Sequence, residues 1–214
     1  MPLRLIRHLV LRRLSIACAA ILLSATLVRA SLNRSAPPEE FKSLAGQLLI
    51  ATPAMADPRF ARTVILMVTH DRNGAFGIVI NRPAGEQALA KLFEAMGEEA
   101  TGIDGSVPVF VGGPVETAQG FILHSAEYRR PGTYAVNDRF AMTTSLDALR
   151  DIAANKGPKK SIVAFGYSGW SPGQLEGELK QHAWFVAPAD SHIVFDEDRD
   201  RVWDKAMARR PRDI

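Results

Sequence analysis

Thiol chemistry is almost absent from this chain, since Cys18 is the one cysteine among 214 residues. Without a second cysteine there is no intramolecular disulfide. Without one after position 18, the rest of the chain can build neither a cysteine-ligated metal site nor a thiol nucleophile. Basic excess is also missing where it would matter. The formal net charge is +3, but Arg4, Arg7, Arg12, Arg13 and Arg29 fall in the first thirty residues with no acidic residue, and residues 31–40 set Arg34 against Glu39 and Glu40. Residues 41–214 are left with −1. A nucleic-acid-binding body would carry its basic footprint in the folded part, so composition gives no support to that class. Long apolar runs are lacking too: the uncharged stretch at residues 14–28 is shorter than the roughly 20 residues that span a bilayer. His70, His124, His182 and His192 contain no close-spaced pair. A metal site would need assembly from tertiary contacts alone, and neither metal nor cofactor is expected.

What is present begins with an arginine-rich start, an apolar stretch and Val28-Arg29-Ala30, the layout of a secretory signal with cleavage after Ala30. The competing reading is a mis-assigned start, with the segment belonging to upstream reading frame. Residues 1–30 are therefore expected to be signal-like or mis-assigned, residues 31–40 ("SLNRSAPPEE") a linker, and residues 41–214 one domain. The chain would be exported or membrane-associated through residues 1–30 in the first case and cytoplasmic in the second.

Within the body, Leu48-Leu49-Ile50-Ala51 reads as a buried strand between Gly46 and Pro53. "RTVILMVTHD" and "GAFGIVINRP" read as a hairpin over 62–82 that turns at Asn73-Gly74 and stops at Pro83. "EQALAKLFEAMG" spaces Leu89, Leu92, Phe93 and Met96 as a helix face and ends on Gly97. "VPVFVGG" and "GFILHS" are strands joined through Gly112-Gly113-Pro114, and "GTYAVNDRFAMT" is a strand pair or bent strand. "TSLDALRDIAANKG" predicts a helix capped by Thr144 and ended by Gly157. "SIVAFG", "AWFVAPA" and "HIVFD" predict strands. "SPGQLEGEL" starts a helix, and "DRVWDKAMARR" is a helix with Val202, Trp203 and Ala206 inward. Strands outnumber helices and come in hairpin-like groups, which argues for α+β over a doubly wound sheet.

The stretch with a chemical question in it is "GYSGWSPGQLEGEL". Ser168 between a strand and a helix has the context of a nucleophile elbow, which lifts a serine above the sheet edge. The match fails where an elbow needs glycine two residues on, because that residue is Trp170. Ser171, Pro172 and Gln174 then supply a helix start of their own, Ser171 as N-cap and Gln174 closing a capping box. The expected geometry is a loop shaped by Gly166 and Gly169, followed by a capped helix. A serine hydrolase would further need Asp190 or Glu178 with His182 or His192, residues with no motif around them. "VGGPVE" lacks the lysine and length of a phosphate loop and reads as a turn. Arg82 in "INRP" has the chemistry to receive an anion.

"GQLLIATPAMADPRFARTVILMVTH", "GAFGIVINRP", "VFVGGPV", "GFILHS", "GYSGWSPGQLEGEL" and "IVFD" followed by "RVW" together resemble the YqgE/AlgH family of bacterial proteins over about residues 41–207. The resemblance implies a compact α+β domain on a curved, mixed, largely antiparallel sheet with flanking helices. It implies no known reaction; the AlgH name comes from a proposed role as transcriptional regulator of alginate production, and this body has no visible DNA-binding motif. In the family pattern the place of Ser168 is commonly a small residue such as alanine, which is not how a nucleophile behaves. Gly112, Gly113, Pro114, Gly166, Gly169 and Trp170 match as a structural signature. Asp57 and Phe60 match as well. Asn81, Arg82, Gln174 and Glu176 are the polar matches, expected to line a shared groove for a polar or anionic ligand. The expected function is non-catalytic binding or regulation through a protein partner or small polar ligand. Hydrolysis at Ser168 and association with nucleic acid are the alternatives.

Overall fold

The computed structural model describes residues 41–210, so the signal-like or mis-assigned segment and the linker lie outside the described residues. Ten strands form one continuous sheet: β1 (Gln47–Ala51), β2 (Val64–Asp71), β3 (Gly74–Val79), β4 (Pro83–Ala88), β5 (Ser106–Val111), β6 (Val115–Ser125), β7 (Tyr134–Ala135), β8 (Phe140–Thr143), β9 (Ser161–Trp170) and β10 (Trp184–Pro188). Their order is β10-β1-β2-β3-β9-β6-β8-β7, with β5 beside β9 and β4 beside β5. Every pairing is antiparallel except β5 with β9, so the sheet is mixed and largely antiparallel. Five helices flank it: α1 (Leu89–Ala95), α2 (Leu146–Ala153), α3 (Gln174–Lys180), α4 (Ser191–Val194) and α5 (Val202–Ala208). The α+β class stands.

Strand alternation sorts the apolar residues onto two faces. On one face Leu48, Ile50, Leu66, Ile78, Leu123, Phe140 and Ile162 form the largest cluster, closed by Ile193 and Val194 of α4 and Val202 and Ala206 of α5. On the other, Leu49, Ile65, Met67, Val79, Trp170 and Trp184 pack under Leu175 of α3. A third cluster joins Leu89, Leu92 and Phe93 of α1 and Leu149 of α2 to Val107, Ile122 and Val163. Full burial of side chains this size is worth about 1.5–3 kcal/mol each, which makes these faces the main source of stability.

Strand β9 is the axis of the fold, because its neighbour on one edge changes along its length. Val163, Ala164 and Phe165 pair in parallel with β5, whereas Ser168 and Trp170 pair with Gly77 and Ala75 of β3. β6 runs along the opposite edge. The chain leaving β5 must cross the backbone of β9 to become β6, and it does so through Gly112, Gly113 and Pro114. Gly112 stitches the fork, its N–H donating to the Phe165 carbonyl and its carbonyl accepting from Val79 N–H, both at 2.8 Å. A Cβ on Gly113 would meet the Tyr167 carbonyl carbon at 2.1 Å, and one on Gly166 would meet the Gly113 oxygen at 2.4 Å. Gly166 also sits at φ +75°, where other residues are strained. Two bare backbones in contact are what this part of the signature encodes.

Several local expectations are corrected. Ser168 and Gly169 lie inside β9, not in a loop, because pairing with β3 carries the strand on to Trp170. Ser171 does not cap α3; Gly173 holds the N-cap at φ +76°, although the Gln174 side-chain oxygen does accept from Ser171 N–H at 3.1 Å. The cap of α2 is Ser145, not Thr144, and the left-handed residue after it is Asn155 at φ 57°, not Gly157. "HIVFD" is not a strand: His192, Ile193 and Val194 belong to the short helix α4, whose start Asp190 caps by accepting from His192 and Ile193 N–H, and Phe195 is its C-cap. The strand before Pro83 ends at Val79, and the segment from Pro83 to Ala88 is itself a strand, exposed along its length. The hairpin turn is Arg72-Asn73, with Asp71 paired to Gly74.

Candidate functional site

Ser168 has the surroundings of a core residue. It is 1% exposed, and its hydroxyl has no hydrogen-bond partner. Among the described residues no imidazole or carboxylate is hydrogen-bonded to it, as a base activating a serine nucleophile would be. Asp190, proposed as a triad acid, is occupied at the cap of α4 and in an ion pair with Arg209.

The four polar candidates are divided among separate tasks. Asn81 acts as a backbone surrogate: its side-chain oxygen accepts from Val64 N–H at 2.9 Å and its amide donates to the Arg62 carbonyl at 2.9 Å. Arg82 donates to the Ala61 carbonyl at 3.2 Å, so both residues fasten the segment entering β2. Glu176 accepts from His70 at 3.0 Å. The His70 Nδ1 accepts from Leu44 N–H at 3.1 Å, which places the ring proton on Nε2, facing Glu176. Of the four, Gln174 lines the groove formed between the turn at residues 55–60 and α3.

That groove encloses about 380 Å³ between the turn at residues 55–60, the Pro114 crossover, the end of β9 and the open side of α3. The volume is within the range of small-molecule sites. Its walls are Met55, Ala56, Phe60, Pro114, Val115, Trp170 and Trp184, and its polar groups come from Asp57, Arg59, Gln174 and Glu178. The sequence folds it into place by short steps. Asp57 caps a 3-10 turn, Pro58–Phe60, whose first residue is proline, and this sets Phe60 edge-on to Trp184 at 5.5 Å. Trp170 ends β9 and packs edge-on to Trp184 at 6.1 Å. One turn apart on α3, Gln174 and Glu178 share a face.

Glu178 is the polar centre. One carboxylate oxygen accepts from both indoles, Trp170 Nε1 at 2.9 Å and Trp184 Nε1 at 2.8 Å, and the other accepts from Gln174 Nε2 at 2.9 Å. All three donors are neutral. Among the described residues, no lysine, arginine or histidine forms an ion pair with Glu178. Asp57 is the contrasting case, since Arg59 binds it at 2.7 Å. The Arg59 side chain and its backbone N–H hold the Asp57 carboxyl below the usual range, with a smaller contribution from the nearby charge of Arg82. In the sequence Glu178 stood out only as a candidate triad acid and by its i, i+4 spacing from Gln174, and Trp184 only by the apolar run around it.

A second buried polar group lies far along β6. His124 is fully buried, its Nδ1 donates to the Ser125 carbonyl at 3.0 Å, and its Nε2 has no partner. Burial holds its pKa below the ordinary histidine value, opposed by the bond to Ser125. Among the described residues no cluster of three or more His, Cys, Asp or Glu is arranged to hold a metal, and no helix is long and apolar enough to cross a membrane.

The chain is similar to known proteins in sequence and in fold. A protein of the UPF0301 group from Jannaschia sp. is 45% identical over 174 residues, covering 80% of this chain and 91% of its own length. Another from Methylococcus capsulatus is 42% identical over 79% of this chain and 93% of its own. The solution structure of AlgH from Pseudomonas aeruginosa superposes with a TM-score of 0.68 at 40% identity, covering 82% of this chain and 92% of that one. A crystal structure of a Corynebacterium diphtheriae protein, at 23% identity and a TM-score of 0.63, shares the fold. The AlgH-like family model matches residues 48–214, and the chain belongs to that family.

Proposed function

We propose that this chain is a non-catalytic binding protein, and that its ligand or partner group occupies the groove between the 55–60 turn and α3. The observation that carries this reading is Glu178, a carboxylate oriented by two buried indoles at the floor of an open, aromatic-walled groove. Such a pre-positioned charged group among apolar walls is how binding sites obtain orientation and specificity. The burial of Ser168 without a hydrogen-bonded base among the described residues speaks against hydrolysis, and the near-neutral body speaks against a nucleic-acid surface. A regulatory role would then be exerted through what the groove holds.

Ala56 is an exposed residue on the groove wall, so Ala56→Trp fills the groove with little disturbance of the core. Capture from host extract with the wild-type protein and with Ala56→Trp tests the reading. A species retained by the wild type and lost by the variant is expected. A retained set that is identical for both proteins would contradict it.

A further inference from the structure

The chemistry of the groove selects a class of ligand. Three charged residues line it, and two of them, Asp57 and Arg59, neutralise each other. Among the described residues, the third, Glu178, has its charge met by N–H dipoles alone. A carboxylate in a partly desolvated setting gains most from a cation, because Coulomb attraction strengthens as the local dielectric falls. Trp170 and Trp184 are 7% and 4% exposed, so the carboxylate they hold stands on a low-dielectric floor. Their indole N–H bonds fix its orientation before anything binds, which lowers the ordering cost of association. Aromatic walls favour an organic cation over a small hydrated metal ion, and the donors around Glu178 do not form a metal-ligand set.

Resting on the groove reading above, we infer that the group bound beside Glu178 is an alkylammonium cation, supplied by a free amine or by a lysine side chain. The anion expected from Arg82 is displaced from this site, since Arg82 is turned to the Ala61 carbonyl and the groove's unmatched charge is negative.

Trp170 and Trp184 are two of the three tryptophans, so intrinsic fluorescence reports on the groove directly. The probes are n-butylammonium chloride, the peptide acetyl-Gly-Lys-Gly-amide, n-butanol as the neutral isostere and sodium butyrate as the anion. Saturable fluorescence changes are expected with the two cations and not with butanol or butyrate. The tighter of the two cations identifies the source. Glu178→Gln is expected to weaken cation binding by ~10-fold or more. Ala56→Lys, which places a competing charge on the exposed wall without touching the indoles, is expected to weaken it as well. Butanol or butyrate binding as well as butylammonium, or cation binding unchanged in both variants, would overturn the inference; if those probes are still lost in Ala56→Trp, the groove reading survives it. No saturable change with either cation would overturn it too, and the extract capture then decides separately whether the groove binds anything.

Discussion

Gly113 and Tyr167 pass so closely that a single added Cβ at Gly113 would stand 2.1 Å from the Tyr167 carbonyl carbon and 2.2 Å from its oxygen. Neither neighbour is a side chain that can turn away, so the crossover of β9 must separate to admit an alanine. Gly113→Ala is expected to destabilise the fold by about 2–5 kcal/mol, combining overpacking with backbone strain. Gly177, inside α3 with nothing near its missing Cβ, is the control. Gly177→Ala is expected to be neutral or to stabilise by about 0.5–1 kcal/mol. Urea unfolding midpoints of the two variants check the pair, and equal effects would show that the crossover is not the constraint.

Ser168→Ala removes a buried hydroxyl with no partner. Since no hydrogen bond is lost, stability is expected to hold or to rise by up to about 1 kcal/mol. Ligand capture should be unchanged. A loss of both stability and capture would mean that the hydroxyl has a role the core packing does not reveal.

Glu178→Ala leaves two buried indole N–H groups without an acceptor. Each unsatisfied donor costs about 1–3 kcal/mol, so a loss of about 2–6 kcal/mol is expected by urea unfolding. Glu178→Gln keeps an acceptor oxygen and is expected to lose about half as much or less. If alanine and glutamine behave alike, the indole bonds do not hold the groove together.

His124 makes stability fall toward acid. Its native pKa lies below the ordinary value of ~6.5, so between the two values the unfolded chain binds a proton that the native chain does not. Stability from this residue is complete above ~6.5 and is lost as pH falls toward the lowered native value, with a slope approaching about 1.4 kcal/mol per pH unit at most. Glu127 opposes the shift and Arg129 adds to it. His124→Phe keeps a ring against Tyr128, 5.4 Å away, and removes the titration. The wild type should lose more stability than this variant between pH 7.5 and pH 5 in urea unfolding, and parallel losses would assign the acid sensitivity elsewhere.

Much of the fold could be read from residue pattern because burial on two faces leaves periodic traces. β2, β3 and β5 are dense in β-branched and aromatic residues, and the amphipathic stripes of α1 and α5 survive in the structure, except that Met96 falls at the C-cap of α1 and is exposed. What could not be read is what tertiary pairing imposes. β4 has no β-branched or aromatic residue and is made partly of helix formers, yet it is held as a strand by β5. Ser168 and Gly169 look like loop residues, but β3 recruits them into β9. The alternation in "HIVF" was too short to separate strand from helix, and the cap at Asp190 decided it. The signature glycines were legible as backbone constraints, although not as a chain crossing. Within the site, Gln174 and Trp170 were found by motif. Glu178 and Trp184 were not combined with them, because a hydrogen bond between a helix and two strand ends has no spacing in the sequence.

If this protein binds at the groove around Glu178, the indole N–H resonances of ¹⁵N-labelled protein will report it. Trp170 and Trp184 bond Glu178, whereas Trp203 donates to the Ala51 carbonyl at 2.9 Å on another side of the fold. On addition of the captured ligand, or of host extract that contains it, the Trp170 and Trp184 signals should shift together while Trp203 stays in place. Stationary groove indoles, with shifts mapping to Trp203 or to the exposed strand β4, would contradict the account.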